Sequence, residues 1–460
     1  MPFSLLGLND ALVCAVNVLG YVAPTPVQTA TVGVILKGGD VLALAQTGSG
    51  KTAAFCLPLL QGLQSPKHPP STPTDALQHR RKSIQALILV PTRELAAQVG
   101  DVIHSLAQHL PVPVKTAVVF GGVSINPQMM GLRGGADIVV ATPGRLLDLI
   151  DHNALGAQGL SHVNTLVLDE ADRLLDLGFA DELARILALL PAKRQSLFFS
   201  ATFPQAVQAL ADALLHNAVR IEVEATPATQ PVILQRAIEV DTNRRTQLLR
   251  HLVQQNGWTR VLVFVATKHA AEIVADKLRK AAVDAEPFHG LLSQGKRSQV
   301  LADFKASRVR VVVATDLAAR GIDIAELPVV VNYDLPRSSV DYVHRIGRTG
   351  RAGESGVAIS FVTADSDAHF RLIEKRQGLR LHREQIPGFE PVGIGLPGAS
   401  DQADAGIAAD SGTRNEASNI ATRETPRSAT MTPDTGGVKG KRPSKKDKLR
   451  AAASILAPKA

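Results

Sequence analysis

Cysteine, net charge on the body of the chain and long apolar runs are all scarce in this sequence of 460 residues. The two cysteines, Cys14 and Cys56, offer neither metal-ligand spacing nor a disulfide framework. No stretch approaches the roughly 20 consecutive apolar residues that a membrane-spanning helix needs. The first basic residue is Lys37, so the start lacks the charged segment of a secretory signal and the arginines of a transit peptide. A soluble protein of a reducing cytoplasm, with no membrane partner, is the expectation. The formal charge is +8, yet the segment 439–460 alone carries eight Lys or Arg against one Asp, so the rest is nearly neutral. A basic tail on a neutral body reads either as a tether for a polyanion or as a solubilising end.

Against these absences stand short, wholly apolar runs, each followed by a polar or glycine-rich loop. Val41–Leu44, Ala86–Val90, Thr165–Leu168, Arg310–Val313 and Val329–Val331 read as strands of parallel sheets buried on both faces. Helical patterns alternate with them, which predicts an α/β fold. We expect a first domain over 1–224, a linker over 225–231 that carries two prolines, and a second domain over 232–385. Gln64–Ser83 lacks periodicity and reads as a surface loop. The segment 386–460 is rich in Gly, Ala, Ser, Thr and Asp with hardly an aromatic, and is expected to be a disordered basic tail.

Ligands of open α/β sheets bind beyond the carboxyl ends of the strands, where the chemistry-bearing residues fall. Ala45-Gln46-Thr47-Gly48-Ser49-Gly50-Lys51-Thr52 has the glycines for a phosphate cradle, Lys51 as a point charge and the Thr52 hydroxyl for Mg2+. Ala45 departs from the usual formula, which has Gly there. Asp169 can hold Mg2+ largely through water, and Glu170 can orient or deprotonate an attacking water. An acidic helix start would explain one such carboxylate, but not three within Asp169–Asp172. Arg348 and Arg351 are three residues apart in a glycine-rich loop. Alone they would be solvated surface groups; with Lys51 and Asp169 they read as arginine fingers.

Together these blocks resemble a DEAD-box ATP-dependent RNA helicase, with the match running from about Phe3 to Val362 and every expected block in order. Asp169-Glu170-Ala171-Asp172 is the tetrapeptide that names the family. The resemblance implies two tandem RecA-like domains with parallel β-sheets flanked by helices. It also implies ATP and Mg2+ as cofactors, and RNA as a partner gripped by its backbone. Tyr21 would stack on adenine and Gln28 would bond its edge, with Phe3 as the family's isolated upstream aromatic. The phosphates would lie over Thr47, Gly48, Ser49, Gly50, Lys51 and Thr52, and Asp323 would take the ribose. RNA-binding and coupling positions would be Thr92, Arg93, Gly122, Thr142, Gly144, Arg145, Asp172, Ser200 and Thr202 in the first domain. In the second they would be Thr267, Gln294, Arg297, Thr315 and His344. The short basic tail is most similar to bacterial RhlE-type members. A monomer that locally unwinds short duplexes is the implied activity. The rivals are a DNA translocase, a dead motor used as a scaffold, and an RNA clamp or annealing factor.

Overall fold

The apolar runs become the strands of two sheets that repeat one topology. The computed structural model describes residues 2–46, 48–64, 83–155, 159–223, 233–319, 327–350 and 356–392. The first lobe contains β1 (Val41–Leu44), β2 (Ala86–Leu89), β3 (Thr116–Val119), β4 (Ile138–Ala141), β5 (Thr165–Leu168), β6 (Gln195–Ser200) and β7 (Val219–Glu222). They lie in the order β3-β4-β2-β5-β6-β1-β7, every pair parallel. The second lobe contains β8 (Ile233–Glu239), β9 (Val261–Val265), β10 (Ala285–Phe288), β11 (Val311–Thr315), β12 (Val329–Asn332), β13 (Gly356–Val362) and β14 (Arg383–Glu384). Their order, β10-β11-β9-β12-β13-β8-β14, is the same one shifted by a full set of strands, again all parallel. The predicted architecture of two α/β lobes with parallel sheets is what is found.

Side-chain alternation explains why central strands such as β2 and β9 carry no polar residue. In β2, Ala86 and Ile88 enter the core on one face, while Leu87 and Leu89 enter the core on the other. In β9, Val261, Val263 and Val265 pack to one side, and Leu262 and Phe264 to the opposite side. Helices cover both faces, so neither side of a central strand meets water and period-two polarity has no use here.

Boundaries differ from expectation in small ways with local causes. The fourth expected run begins at Val311 and continues to Thr315, because five residues register with Val261–Val265. The helix that follows the acidic loop starts at Ala171, since Glu170 adopts a left-handed backbone and turns the chain at once. The helix Lys51–Gln64 accommodates Pro58. Expectations for the interior of the 64–83 loop, for the linker 225–231 and for the tail beyond Val392 lie outside the described residues. Residues 386–392, expected to belong to the disordered tail, instead pack on the second lobe. The Phe389 ring lies 5.3 Å from His251 with Arg244 over its face, and the Val392 amide donates to Asp241 at 3.0 Å. No helix among the described residues is long and apolar enough to cross a membrane.

β13 begins hard against the glycine-rich loop that ends in Gly350. A Cβ on Gly356 would stand 2.0 Å from the Thr349 hydroxyl and 2.3 Å from the Gly350 nitrogen. Gly356→Ala is therefore expected to lower stability to urea by about 1–3 kcal/mol through overpacking. An unchanged unfolding midpoint would show that this loop yields freely.

Candidate functional site

Three loops meet because their strands are neighbours. β5, β6 and β1 lie side by side, so Asp169, Ser200 and Ala45 leave the sheet at adjacent ends. The Ala45 amide donates to the Ser200 carbonyl at 3.0 Å, and the Asp169 amide to the Leu89 carbonyl at 3.0 Å. The glycine-rich loop then turns into the helix Lys51–Gln64. Gly50 sits at φ 91°, and a Cβ there would stand 2.5 Å from Gln28 Nε2, so only glycine fits. The Lys51 ammonium is folded onto the loop's own carbonyls, donating to Ala45 at 2.7 Å and Gln46 at 3.3 Å. Thr47 lies outside the described residues.

Burial dominates the electrostatics here. Asp169 is 2% exposed, and desolvation raises its pKa to about 7 despite the attraction of Lys51, with Glu170 adding to the rise. Lys51 is pushed below its ordinary value, by desolvation first, although Asp169, Glu170 and Asp172 pull it up. Both partners of an attracting pair thus shift toward neutrality, so burial outweighs the attraction. Several polar atoms around the loop are buried without a hydrogen-bond partner: Ser49 Oγ, Glu170 Oε2 and Asp172 Oδ1. Oxygen donors at Thr52 and Asp169 suit a hard cation. Among the described residues, no group of three or more His, Cys, Asp or Glu side chains could hold a metal ion. A cation beside Asp169 would thus need phosphate and water oxygens to complete its shell, and the residues present fit that role.

Asp172 ties the acidic loop to the loop after β6. Its Oδ2 accepts from the Thr202 amide at 3.0 Å and the Thr202 hydroxyl at 2.8 Å, while Ser200 Oγ donates to the Thr202 carbonyl at 2.7 Å. The second lobe faces the same acidic loop through His344, on the helix Ser339–Ile346. Its pKa is lowered to about 4, chiefly by burial and next by the Arg173 charge, while Asp172 pulls it back up. His344 is therefore neutral at physiological pH. Arg348 is buried and its carbonyl accepts from Leu327 at 3.2 Å. Arg351 and Asp323 lie outside the described residues.

On the other side of the loop, Gln28 serves two backbones. Its Oε1 accepts from the Thr25 amide at 3.0 Å, closing the start of the helix Pro26–Leu36, and its Nε2 donates to the Gly50 carbonyl at 3.1 Å. Tyr21 is half-buried, with the buried Phe3 ring 6.3 Å away. It opens on a cleft of about 570 Å³ between the helices Arg93–Ala107 and Gln294–Lys305.

The remaining first-lobe blocks gather at the ends of β2, β4 and β3, the other half of the sheet. Thr92 caps its helix by accepting from the Leu95 amide at 3.2 Å. Arg93 covers the position that a Cβ on Gly122 would occupy, and Gly144 is open. Thr142 precedes the helix Pro143–Asp151. Arg145 donates to the Val123 carbonyl at 2.8 Å, leaving Nη1 buried and unbonded. In the second lobe, Thr267 is exposed and caps its helix through Ala270, and Thr315 is half-buried at the end of β11. Gln294 has a buried, unbonded Oε1.

Arg297 is placed differently from a phosphate ligand. It is 2% exposed and donates to Glu94 across the lobes at 2.6 Å, to the His289 carbonyl at 3.1 Å and to the Ala318 carbonyl at 3.4 Å. Its guanidinium is thus taken up by protein acceptors, one of them in the first lobe. Sequence reasoning missed its partner Glu94, which lies 203 residues away. It also missed Arg173, buried beside Glu170.

Comparison with known proteins agrees with this geometry. The family model for the DEAD/DEAH box helicase matches residues 25–210, and that for the helicase conserved C-terminal domain matches 244–353. The chain is 38% identical to an ATP-dependent RNA helicase CshA of Listeria monocytogenes, over 85% of this chain and 72% of the relative. It is 37% identical to an ATP-dependent RNA helicase DeaD of Buchnera aphidicola, over 84% of this chain and 61% of that one. Among solved structures, it is similar to S. cerevisiae Dbp5 bound to RNA and ADP BeF3. That match has a TM-score of 0.71 at 31% identity and covers 83% of this chain and 95% of that one.

The buried aspartate generates a pH dependence. Asp169 ionises near 3.8 in an unfolded chain but near 7 here, so the folded protein binds the extra proton between those values. Below that window ionisation has no cost; through it stability falls as pH rises, and above about 7 the full penalty remains. Asp169→Asn, without nucleotide, should therefore raise the melting temperature more at pH 8 than at pH 5. Equal shifts at both pH values would contradict the burial argument.

Proposed function

The chain belongs to the DEAD-box family of ATP-dependent RNA helicases, and from that premise we propose how its residues carry out the work. It hydrolyses ATP to ADP and phosphate on binding RNA, and uses the cycle to separate short duplexes or remodel RNA–protein complexes. The observation that carries this reading is the meeting of Lys51, Asp169 and Glu170 with a loop that faces His344 of the second lobe.

Adenine is taken by Tyr21 and Gln28, and the phosphates by the backbone of Gly48–Gly50 with Lys51. Lys51 now spends its ammonium on two carbonyls, and transfers it to phosphate oxygens when these arrive. Thr52 and Asp169 would hold Mg2+, which would supply charge neutralisation at the phosphates. Glu170 orients the attacking water and takes its proton. Arg348, Arg351 and Asp323 complete the site from the second lobe. Asp172, through Thr202 and Ser200, passes the state of the acidic loop to the loop after β6. Thr92, Arg93, Gly122, Thr142, Gly144 and Arg145 form the first-lobe track for the RNA backbone. Thr267, Gln294 and Thr315 continue it, with Arg297 holding the lobes together. Contacts of this kind position a strand without reading its sequence.

The chain acts as a cytoplasmic monomer. Within the family we favour the RhlE-type subgroup, on the Gly, Ser and Lys composition of the segment 386–460; the relatives named CshA and DeaD lend that subgroup no support.

RNA-stimulated ATP hydrolysis, followed by displacement of a short duplex, tests the activity; single-stranded DNA of equal length is the control. Glu170→Gln is expected to keep ATP and RNA binding while turnover falls by about 10²-fold or more. Turnover at the parent rate would remove Glu170 from its role. Stimulation by DNA equal to that by RNA would favour a DNA translocase.

A further inference from the structure

Arg173 follows the acidic tetrapeptide directly and stands one helical turn from Glu170. It is 3% exposed, and its Nη1 is 3.3 Å from Glu170 Oε2. At that separation the two charges attract, yet neither Nη1, Nη2 nor Glu170 Oε2 completes a hydrogen bond. A buried guanidinium left short of acceptors is costly.

The second lobe shows how this fold treats an arginine whose work is structural. Arg345 is equally buried, but donates to both oxygens of Asp316 at 2.6 and 2.7 Å, to Asn332 at 3.1 Å and to the Asp334 carbonyl at 2.6 Å. Arg297 likewise binds one carboxylate and two carbonyls. Arg173 has no such set. Among the described residues its ion pair is with a carboxylate whose residue is held in a left-handed backbone at φ 50° and ψ 51°, which L side chains rarely adopt. Glu170 is thus constrained at both ends, by its backbone and by the guanidinium. His344 of the second lobe feels the Arg173 charge as well.

We propose that Arg173 is a positioning residue for ATP hydrolysis: its guanidinium fixes Glu170 by one carboxylate oxygen, leaving the other to address the attacking water. The inference rests on the role of Glu170 argued above. The unfilled donors of Arg173 are what allows the carboxylate to adjust when substrate enters, where a fully bonded clamp would hold it off target.

The test compares Arg173→Gln and Arg173→Lys in the full chain, by steady-state ATP hydrolysis with saturating RNA. Arg173→Gln is expected to lower kcat by about 10-fold or more with KM for ATP within about twofold, the signature of an interaction felt only in the transition state. Arg173→Lys keeps the charge, and should retain at least about a third of the parent kcat. In a Glu170→Gln background, Arg173→Gln should cost no further residual turnover, because the group it positions is gone. An unchanged kcat in Arg173→Gln, a lysine variant no better than glutamine, or the same fold-loss in both backgrounds would each overturn the proposal. Should Arg173→Gln fail to fold by thermal melting, Arg173→Lys decides: a loss as large as that of Glu170→Gln overturns it. If Glu170→Gln itself turned over normally, the functional reading would fail instead, so the two failures are distinguishable.

Discussion

A lysine and three carboxylates share one desolvated pocket, and most of the first lobe is arranged to make that possible. Burial drives Asp169 toward its neutral form and Lys51 in the same sense, so without phosphates the cluster is electrostatically unsettled. It persists because β5, β6 and β1 are neighbours, so the polar loops emerge where the apolar strands end. The cost is met by the cores on both faces of the sheet. On the proposed reading, the phosphates of ATP would give Lys51 the partner that burial denies it.

The second sheet repeats the first strand for strand, yet its loops supply different chemistry. Where the first lobe holds the glycine-rich loop and Lys51, the second offers His344 and the loop around Arg348. Across the lobes, Glu94 and Arg297 form a buried pair. Removing one partner of such a pair leaves the other charged and dry, a penalty of about 3–5 kcal/mol. Closure and its loss are therefore steep, as a device that grips and releases a strand requires.

The meeting of these loops was legible in sequence because each block is contiguous: Gly48–Thr52, Asp169–Asp172 and Ser200–Thr202 are local words at the ends of neighbouring strands. Strand positions were readable because full burial removes polar residues from both faces. Pairings across the chain were not. Nothing near Arg297 announces Glu94, and its guanidinium could as well have faced a phosphate. Arg173 was overlooked because it follows a famous tetrapeptide and looked like an ordinary helix residue. The packing of Phe389 was missed because composition describes a whole segment, whereas Phe389 against His251 and Arg244, with Ile386 on the core and Val392 bonded to Asp241, seats this short stretch on the second lobe. The Gly50–Gln28 contact lay between the two, since both residues were singled out but for the nucleotide rather than for each other.

The central claim is that one lobe holds the nucleotide but two are needed to split it. Its most direct test is RNA-stimulated ATP turnover by the fragment 1–223 beside the intact chain, with nucleotide binding measured on both. The account predicts that the fragment binds ATP and does not turn it over. A fragment that hydrolyses ATP at the rate of the whole protein would contradict it.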